Sequence, residues 1–236
     1  MERRKCVCAS PKTADIVFLL DASHWVTPDE LLLGRDFFRS FVDAFSYDMD
    51  GVKIAIVPFG KRIGPMFHLS QIPTKDYLLM VLRYQTRGRN SEKRTSSQIL
   101  RTASQRRTRT VTQTELTGLY ISSRCVRDTR TDFALNLARL QLFNKKSGDR
   151  HSAPNFLVLL SASRSQNTQA TESAASLLTK TDTTSYVIGP GNSRDQAKMA
   201  AIATTPNRVI TVEDFQNLGA IRDKLVSPIC DEIEDT

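Results

Sequence analysis

The chain has 236 residues, 40% of them hydrophobic and 25% charged, a composition that fits one globular domain or two small ones and excludes a wholly disordered chain or a collagen-like fibre. Its longest apolar runs, such as Ile16 to Leu20 and Phe156 to Leu160, are five residues long, far short of the roughly 20 that a membrane-crossing helix takes. The net charge is +8, from 33 Lys and Arg against 25 Asp and Glu, but it is concentrated in one place. Residues 85 to 125 hold nine basic side chains (Arg87, Arg89, Lys93, Arg94, Arg101, Arg106, Arg107, Arg109 and Arg124) against Glu92 and Glu115, so this tract carries +7 and all the rest +1.

Met1 is followed by Glu-Arg-Arg-Lys and then cysteines, without the apolar stretch of about 7 to 15 residues of a secretory leader. That start reads either as a cytosolic chain or as an incomplete one. Cys6 and Cys8 precede the first apolar run, Cys125 lies in the basic tract, and Cys230 follows the last helical pattern. No second pair or histidine cluster gives Cys6-Val-Cys8 a metal-binding spacing. Cysteines that bracket a domain read as a terminal clasp, and hence as an oxidising compartment.

In chain order, Asp15 to Leu20 reads as a strand buried on both faces that ends in the polar loop Asp21-Ala22-Ser23-His24. Thr27-Pro28-Asp29-Glu30 has the N-cap, proline and capping-box glutamate of a helix start, and Leu31, Phe38, Phe41, Val42 and Phe45 supply its apolar stripe. Asp50-Gly51 is a turn into a second strand at Val52 to Phe59. Ile63 to Leu69 reads as an edge strand, because Gly64-Pro65 would interrupt a central one. Thr74 to Tyr84 has helical spacing. Beyond the basic tract follow a helix at Asp132 to Phe143, a strand at Asn155 to Leu160, a helix at Thr168 to Thr179 and a strand at Ser185 to Ile188. A helix at Arg194 to Ala203, a strand at Arg208 to Val212 and a helix at Asp214 to Glu232 complete the series. The alternation predicts an α/β fold: a doubly wound, mostly parallel six-stranded sheet with one antiparallel edge strand and helices on both faces. Ligands of such sheets bind beyond the carboxyl ends of the strands, where strand order reverses. The loops at Asp21 to Val26, Arg127 to Asp132 and Ser161 to Asn167 are therefore the candidate site.

Catalytic readings of these loops are weak. Ser23 beside His24 lacks a Gly-x-Ser-x-Gly elbow, and adjacent side chains seldom face each other. Gly189-Pro-Gly-Asn is neither a dinucleotide fingerprint nor a P-loop. His68 and His151 read as surface or loop histidines, and no enzyme class is indicated.

The first loop, Asp21-Ala22-Ser23-His24-Trp25 after Ala-Asp-Ile-Val-Phe-Leu-Leu, resembles the opening of von Willebrand factor type A domains, where Asp-x-Ser-x-Ser begins a metal site. The resemblance continues through Asp50-Gly-Val-Lys-Ile-Ala-Ile-Val-Pro-Phe59, Thr129-Arg-Thr-Asp-Phe-Ala-Leu135, Phe156-Leu-Val-Leu-Leu-Ser-Ala-Ser163, Ser185-Tyr-Val-Ile-Gly-Pro-Gly-Asn192 and Val212-Glu-Asp-Phe215, and closes at Ile229-Cys230. It implies one A-type domain over residues 14–230, interrupted at 85–125 and flanked by residues 1–13 and 231–236. In that family two serines and a threonine bind a divalent cation directly and two aspartates bind it through water, leaving a position for a partner's carboxylate. Asp21, Ser23 and Thr129 match this set; Trp25 stands in place of the second serine and Ala162 in place of the second aspartate. Since a hard cation such as Mg2+ wants near-octahedral oxygen ligation, the metal site reads as vestigial and the expected cofactor as none, unless Asp128 or Asp132 replaces the missing carboxylate. The resemblance also implies neighbouring termini, hence a disulfide from Cys230 to Cys8 or, alternatively, to Cys6. By the chain-entropy relation such a loop of over 200 residues is stabilised by roughly 5 kcal/mol.

The function so implied is a secreted, non-enzymatic protein-recognition module of extracellular adhesion or matrix assembly. Its partners would be extracellular matrix proteins such as collagens, without a divalent ion. The alternative is a polyanion-binding protein that holds heparin-like sulfated polysaccharide through residues 85–125. Nucleic acid is not expected, because single-strand binders interleave aromatics for stacking and the tract holds only Tyr120. Low apolar content predicts that the tract builds no core of its own. Joining Tyr84 to Val126 restores the family's ordinary spacing, so the tract is either a genuine insertion or retained noncoding sequence. Deleting residues 85–125 should lower the net charge from +8 to +1 and leave the thermal midpoint unchanged or higher, since a long loop contributes closure entropy without packing. Differential scanning calorimetry checks this, and a large loss of stability would show that the tract packs on the domain.

Overall fold

The computed structural model describes residues 13–23, 25–45, 51–60, 63, 66–72, 74–79, 129–190 and 196–235. The basic tract, Cys6, Cys8, Cys125, Asp128 and His24 lie outside the described residues. Five strands run parallel: β1 (Ala14–Asp21), β2 (Val52–Phe59), β3 (Asn155–Leu160), β4 (Thr183–Pro190) and β5 (Val209–Val212), in the order β2-β1-β3-β4-β5. Register is fixed along β1 by pairs such as Phe18 with Ile56 on one side and with Val158 on the other. From β1 the chain winds outward to β2 and later, in the opposite direction, to β3, β4 and β5. The reversal point therefore lies between β1 and β3.

The strands form because their β-branched and apolar residues suit a sheet buried on both faces. Alternate residues divide between two cores. Ile16, Phe18 and Leu20 pack with Phe37, Phe38 and Phe41 of α1 (Pro28–Val42), whereas Val17 and Leu19 face the opposite cluster. Phe18 meets Phe38 edge-on at 4.7 Å between ring centroids, a favoured aromatic geometry. The second cluster is closed by α2 (Thr131–Leu137, extended by a π turn over Ala138–Leu142), α3 (Thr168–Leu178) and α4 (Gln196–Ile202), through Leu135, Ala138, Ala175, Leu178, Met199 and Ile202. The final helix α5 (Arg222–Glu234) lies on the α1 side. Its buried Arg222 donates from Nε to the Ser40 carbonyl at 2.8 Å, which pins α5 to α1.

The local signals hold at α1. Thr27 accepts from Glu30 N at 3.2 Å and Glu30 returns a carboxylate to Thr27 N at 2.8 Å, with Pro28 in the first turn. One expectation is corrected. Among the described residues the sheet has five strands, and the antiparallel edge at Ile63 to Leu69 contracts to a single bridge between Phe59 and Ile63. The reason is where its groups go. Phe67 and Leu69 are buried in the core, while the N–H groups of His68, Ser70 and Gln71 donate to Gln71 Oε1, the Ser147 carbonyl and the His68 carbonyl, which leaves no ladder to build.

At the amino end of β1, Asp15 is fully buried and is held by Arg150. Its Oδ2 accepts from Arg150 N at 2.6 Å and its Oδ1 from Nη2 at 2.7 Å, while the same Nη2 also reaches the Ala14 and Gly51 carbonyls. Removing one partner of a buried pair strands the other charge, at a cost of about 3 kcal/mol or more. Arg150→Ala should therefore lower unfolding stability by about 3 kcal/mol in urea titration without altering the slope. A loss under about 1 kcal/mol would show that Asp15 is satisfied without the guanidinium.

Candidate functional site

Three loops meet beyond the carboxyl ends of β1, β2 and β3, sewn together by backbone hydrogen bonds. Ala22 N donates to the Phe59 carbonyl at 2.7 Å, Arg130 N to the Gly60 carbonyl at 2.9 Å, and Gln166 N to the Thr129 carbonyl at 2.9 Å. Gly60 permits the approach, because a Cβ there would lie 3.2 Å from Ser23 Cα. The structure thereby brings Asp21, Ser23, Thr129 and Ala162 onto converging loops at the reversal point.

Asp21 is the hub. It is 1% exposed, and its carboxylate is filled with donors: Oδ1 accepts from Ser23 N at 3.0 Å, while Oδ2 accepts from Ser161 Oγ, Ala162 N and Ser163 N at 3.2 Å each and from Ser163 Oγ at 2.5 Å. One buried anion thus ties the loop after β1 to the loop after β3. A residue that the sequence pattern did not single out completes the network. Lys198 of α4 is 2% exposed, and its Nζ donates to Ser161 Oγ at 3.1 Å and to the Ser163 carbonyl. The signal was present, since Lys198 stands four residues before buried Ile202 on the inward stripe of a short apolar helix.

The donor set is a poor match to a divalent cation. In its favour, Ser23 Oγ and Thr129 Oγ1 are buried without a hydrogen-bond partner among the described residues, as is Thr131 Oγ1. Against it, the Asp21 carboxylate is already engaged by five donors. Trp25 is 49% exposed and an indole offers no oxygen ligand. Ala162 contributes an N–H toward Asp21 instead of a second anion. Asp132 does not take over that role, because Arg130 binds it through Nε at 2.9 Å and Nη2 at 2.7 Å. Burial alone would raise the Asp132 carboxyl, but the hydrogen bond and charge of Arg130 outweigh it and hold the group below the ordinary carboxylate value. The described residues contain no group of three or more His, Cys, Asp or Glu that could hold a metal. Taken together, these residues do not fit a hard cation.

The rim of these loops is aromatic and basic. Arg130 lies 4.0 Å above the Phe133 ring, and Phe133 is 53% exposed. A cavity of about 350 Å3 opens at the other end of the sheet, beside Arg139, Asp149, His151 and Thr183, and its lining shares no residue with the reversal-point loops. Cys230 is disulfide-bonded, and the other three cysteines lie outside the described residues.

Comparison with known proteins agrees with this architecture. Residues 15–117 and 119–224 match the family model of the von Willebrand factor type A domain. The chain is 22% identical over 224 residues to the collagen alpha-4(VI) chain of Mus musculus, covering 94% of this chain and 8% of that collagen. It is 25% identical over 232 residues to the Mus musculus collagen alpha-1(XX) chain, covering 96% of this chain and 14% of that one. The chain thus spans a small part of the relatives that it matches. Proximal thread matrix protein 1 from the mussel byssus superposes with a TM-score of 0.71 over 95% of this chain and 49% of its own, at 19% identity, which shows a common fold.

Proposed function

Since the chain belongs to the von Willebrand factor type A domain family, we propose that it is a non-enzymatic protein-recognition module of extracellular adhesion or matrix assembly, and that it engages its partner without a divalent ion. The observation that carries this reading is the saturated Asp21 carboxylate at the centre of the reversal-point loops, rimmed by exposed Trp25 and by Arg130 stacked on Phe133. Trp and Arg anchors dominate protein interfaces when they become desolvated. The partner class is extracellular matrix protein, collagens included, a choice supported by the likeness to two collagen chains. Among the described residues Ser23 Oγ has no hydrogen-bond partner. No helix among the described residues is long and apolar enough to cross a membrane.

Surface binding to immobilised collagens in chelator and in millimolar Mg2+ tests the reading. Binding should be equal in both, and Trp25→Ala should weaken it about tenfold or more. Binding abolished by chelator would overturn metal independence. Trp25→Ser with Ala162→Asp should create calorimetric Mg2+ binding, with a thermal midpoint that rises as metal is added, whereas the natural chain should show neither. Tight Mg2+ binding by the natural chain would remove the proposal.

Secretion is part of the same proposal. It is supported by the extracellular matrix relatives and by the disulfide at Cys230, whose partner we assign to Cys8, with Cys6 as the alternative. Peptide mapping of secreted protein under nonreducing conditions should recover one of these links, and Cys230 paired with Cys125 or free would refute the assignment. A second reading, polyanion binding, is favoured by the +7 concentrated in residues 85–125. Salt-sensitive retention on heparin that disappears when those residues are deleted would establish it, and retention that persists would exclude the tract as its cause.

A further inference from the structure

A carboxylate that is 1% exposed is costly to bury unless a positive charge compensates it. In a metal-binding loop cluster the ion does this. Here the hydrogen bonds to Asp21 come from serine hydroxyls and backbone N–H groups, and the path leads one step further to a cation. Ser161 Oγ gives its hydrogen to Asp21 Oδ2 at 3.2 Å and accepts one from Lys198 Nζ at 3.1 Å, while the same Nζ donates to the Ser163 carbonyl. Ammonium, hydroxyl dipole and carboxylate are thus aligned head to tail in a water-poor site, where each polarises the next.

The fold builds this position. Met199, next to Lys198, packs against the end of β4, where Gly189 leaves room: a Cβ there would lie 2.8 Å from Met199 Sδ and 3.1 Å from the Ser161 carbonyl oxygen. With Met199 and Ile202 buried in the sheet's second core, α4 is seated in a fixed rotation, and that rotation turns Lys198 inward. Lys198 itself is 2% exposed, so it serves no solvating role.

We propose that Lys198 is the resident cation of the reversal-point site: its ammonium, delivered from α4, takes the electrostatic place of a divalent ion, neutralises Asp21 through Ser161, and holds the loop after β3 against the loop after β1. The inference rests on the metal-independent reading above and adds its physical cause. It also means that the positive charge opposes a divalent ion at the same loops.

Two measurements on the full chain test it. The first is a double-mutant cycle of Lys198→Met with Asp21→Asn, read by urea unfolding. The folding constant should show a coupling of about tenfold, because each substitution removes the other's partner. Lys198→Gln keeps a donor without the charge, and is the milder variant to use should the methionine form not fold; it should couple to Asp21→Asn as strongly. Additive losses, or a Lys198→Gln chain as stable as the natural one, would overturn the role of the charge. The second measurement is Mg2+ titration of the Trp25→Ser, Ala162→Asp chain with and without Lys198→Met, where removing the ammonium should tighten Mg2+ about tenfold. Unchanged affinity would overturn the inference. Mg2+ stabilisation of the natural chain would instead refute the metal-independent reading, which separates the two failures.

Discussion

Strand β1 is hydrogen-bonded on both sides and buried at all eight residues, Ala14 to Asp21, and the rest of the molecule is arranged around that constraint. Five consecutive apolar residues, Ile16 to Leu20, fill both cores, so polar chemistry is displaced to the two ends of the strand. Each end carries a buried carboxylate. Asp15 is met directly by the Arg150 guanidinium. Asp21 is met by a shell of hydroxyls and N–H groups backed by the Lys198 ammonium. A charge left alone at either end would work against the burial that makes the strand a strand.

The two ends differ in what they can do. Arg150 ties Asp15 to the carbonyls of Ala14 and Gly51, so it braces the starts of β1 and β2. The opposite end gathers loops from three strands and leaves Ser23 Oγ and Thr129 Oγ1 buried without partners among the described residues. Arg130 is bound by Asp132 on one side and lies over Phe133 on the other. Among the described residues the exposed surface nearby includes the Trp25 and Phe133 rings and a guanidinium partly neutralised by Asp132, a combination suited to contact by area and stacking.

The succession of elements was legible in the residues because its causes are local. β2 and β3 have the bounds that apolar runs between turn residues predict, and α1 begins where Thr27, Pro28 and Glu30 together form a cap. The less legible elements depend on distant partners. Ile63 to Leu69 has the composition of an edge strand, yet Phe67 and Leu69 pack into the core and the Ser70 N–H turns to Ser147. The final predicted helix is divided between a 3-10 run at Phe215–Ile221 and α5.

Periodicity by itself determined the α/β class and the position of the reversal-point loops, and the family resemblance pointed to Asp21, Ser23, Thr129, Trp25 and Ala162 within them. Only the tertiary structure decided how the Asp21 charge is met. Lys198 lies 177 residues from Asp21 in the chain, and no local pattern around it points to that carboxylate. The pairing exists because the sheet sets β4 beside β3 and because Met199, packed at Gly189, fixes the rotation of α4, so that a lysine on a short apolar helix is carried inward to Ser161 and Ser163, next to Asp21.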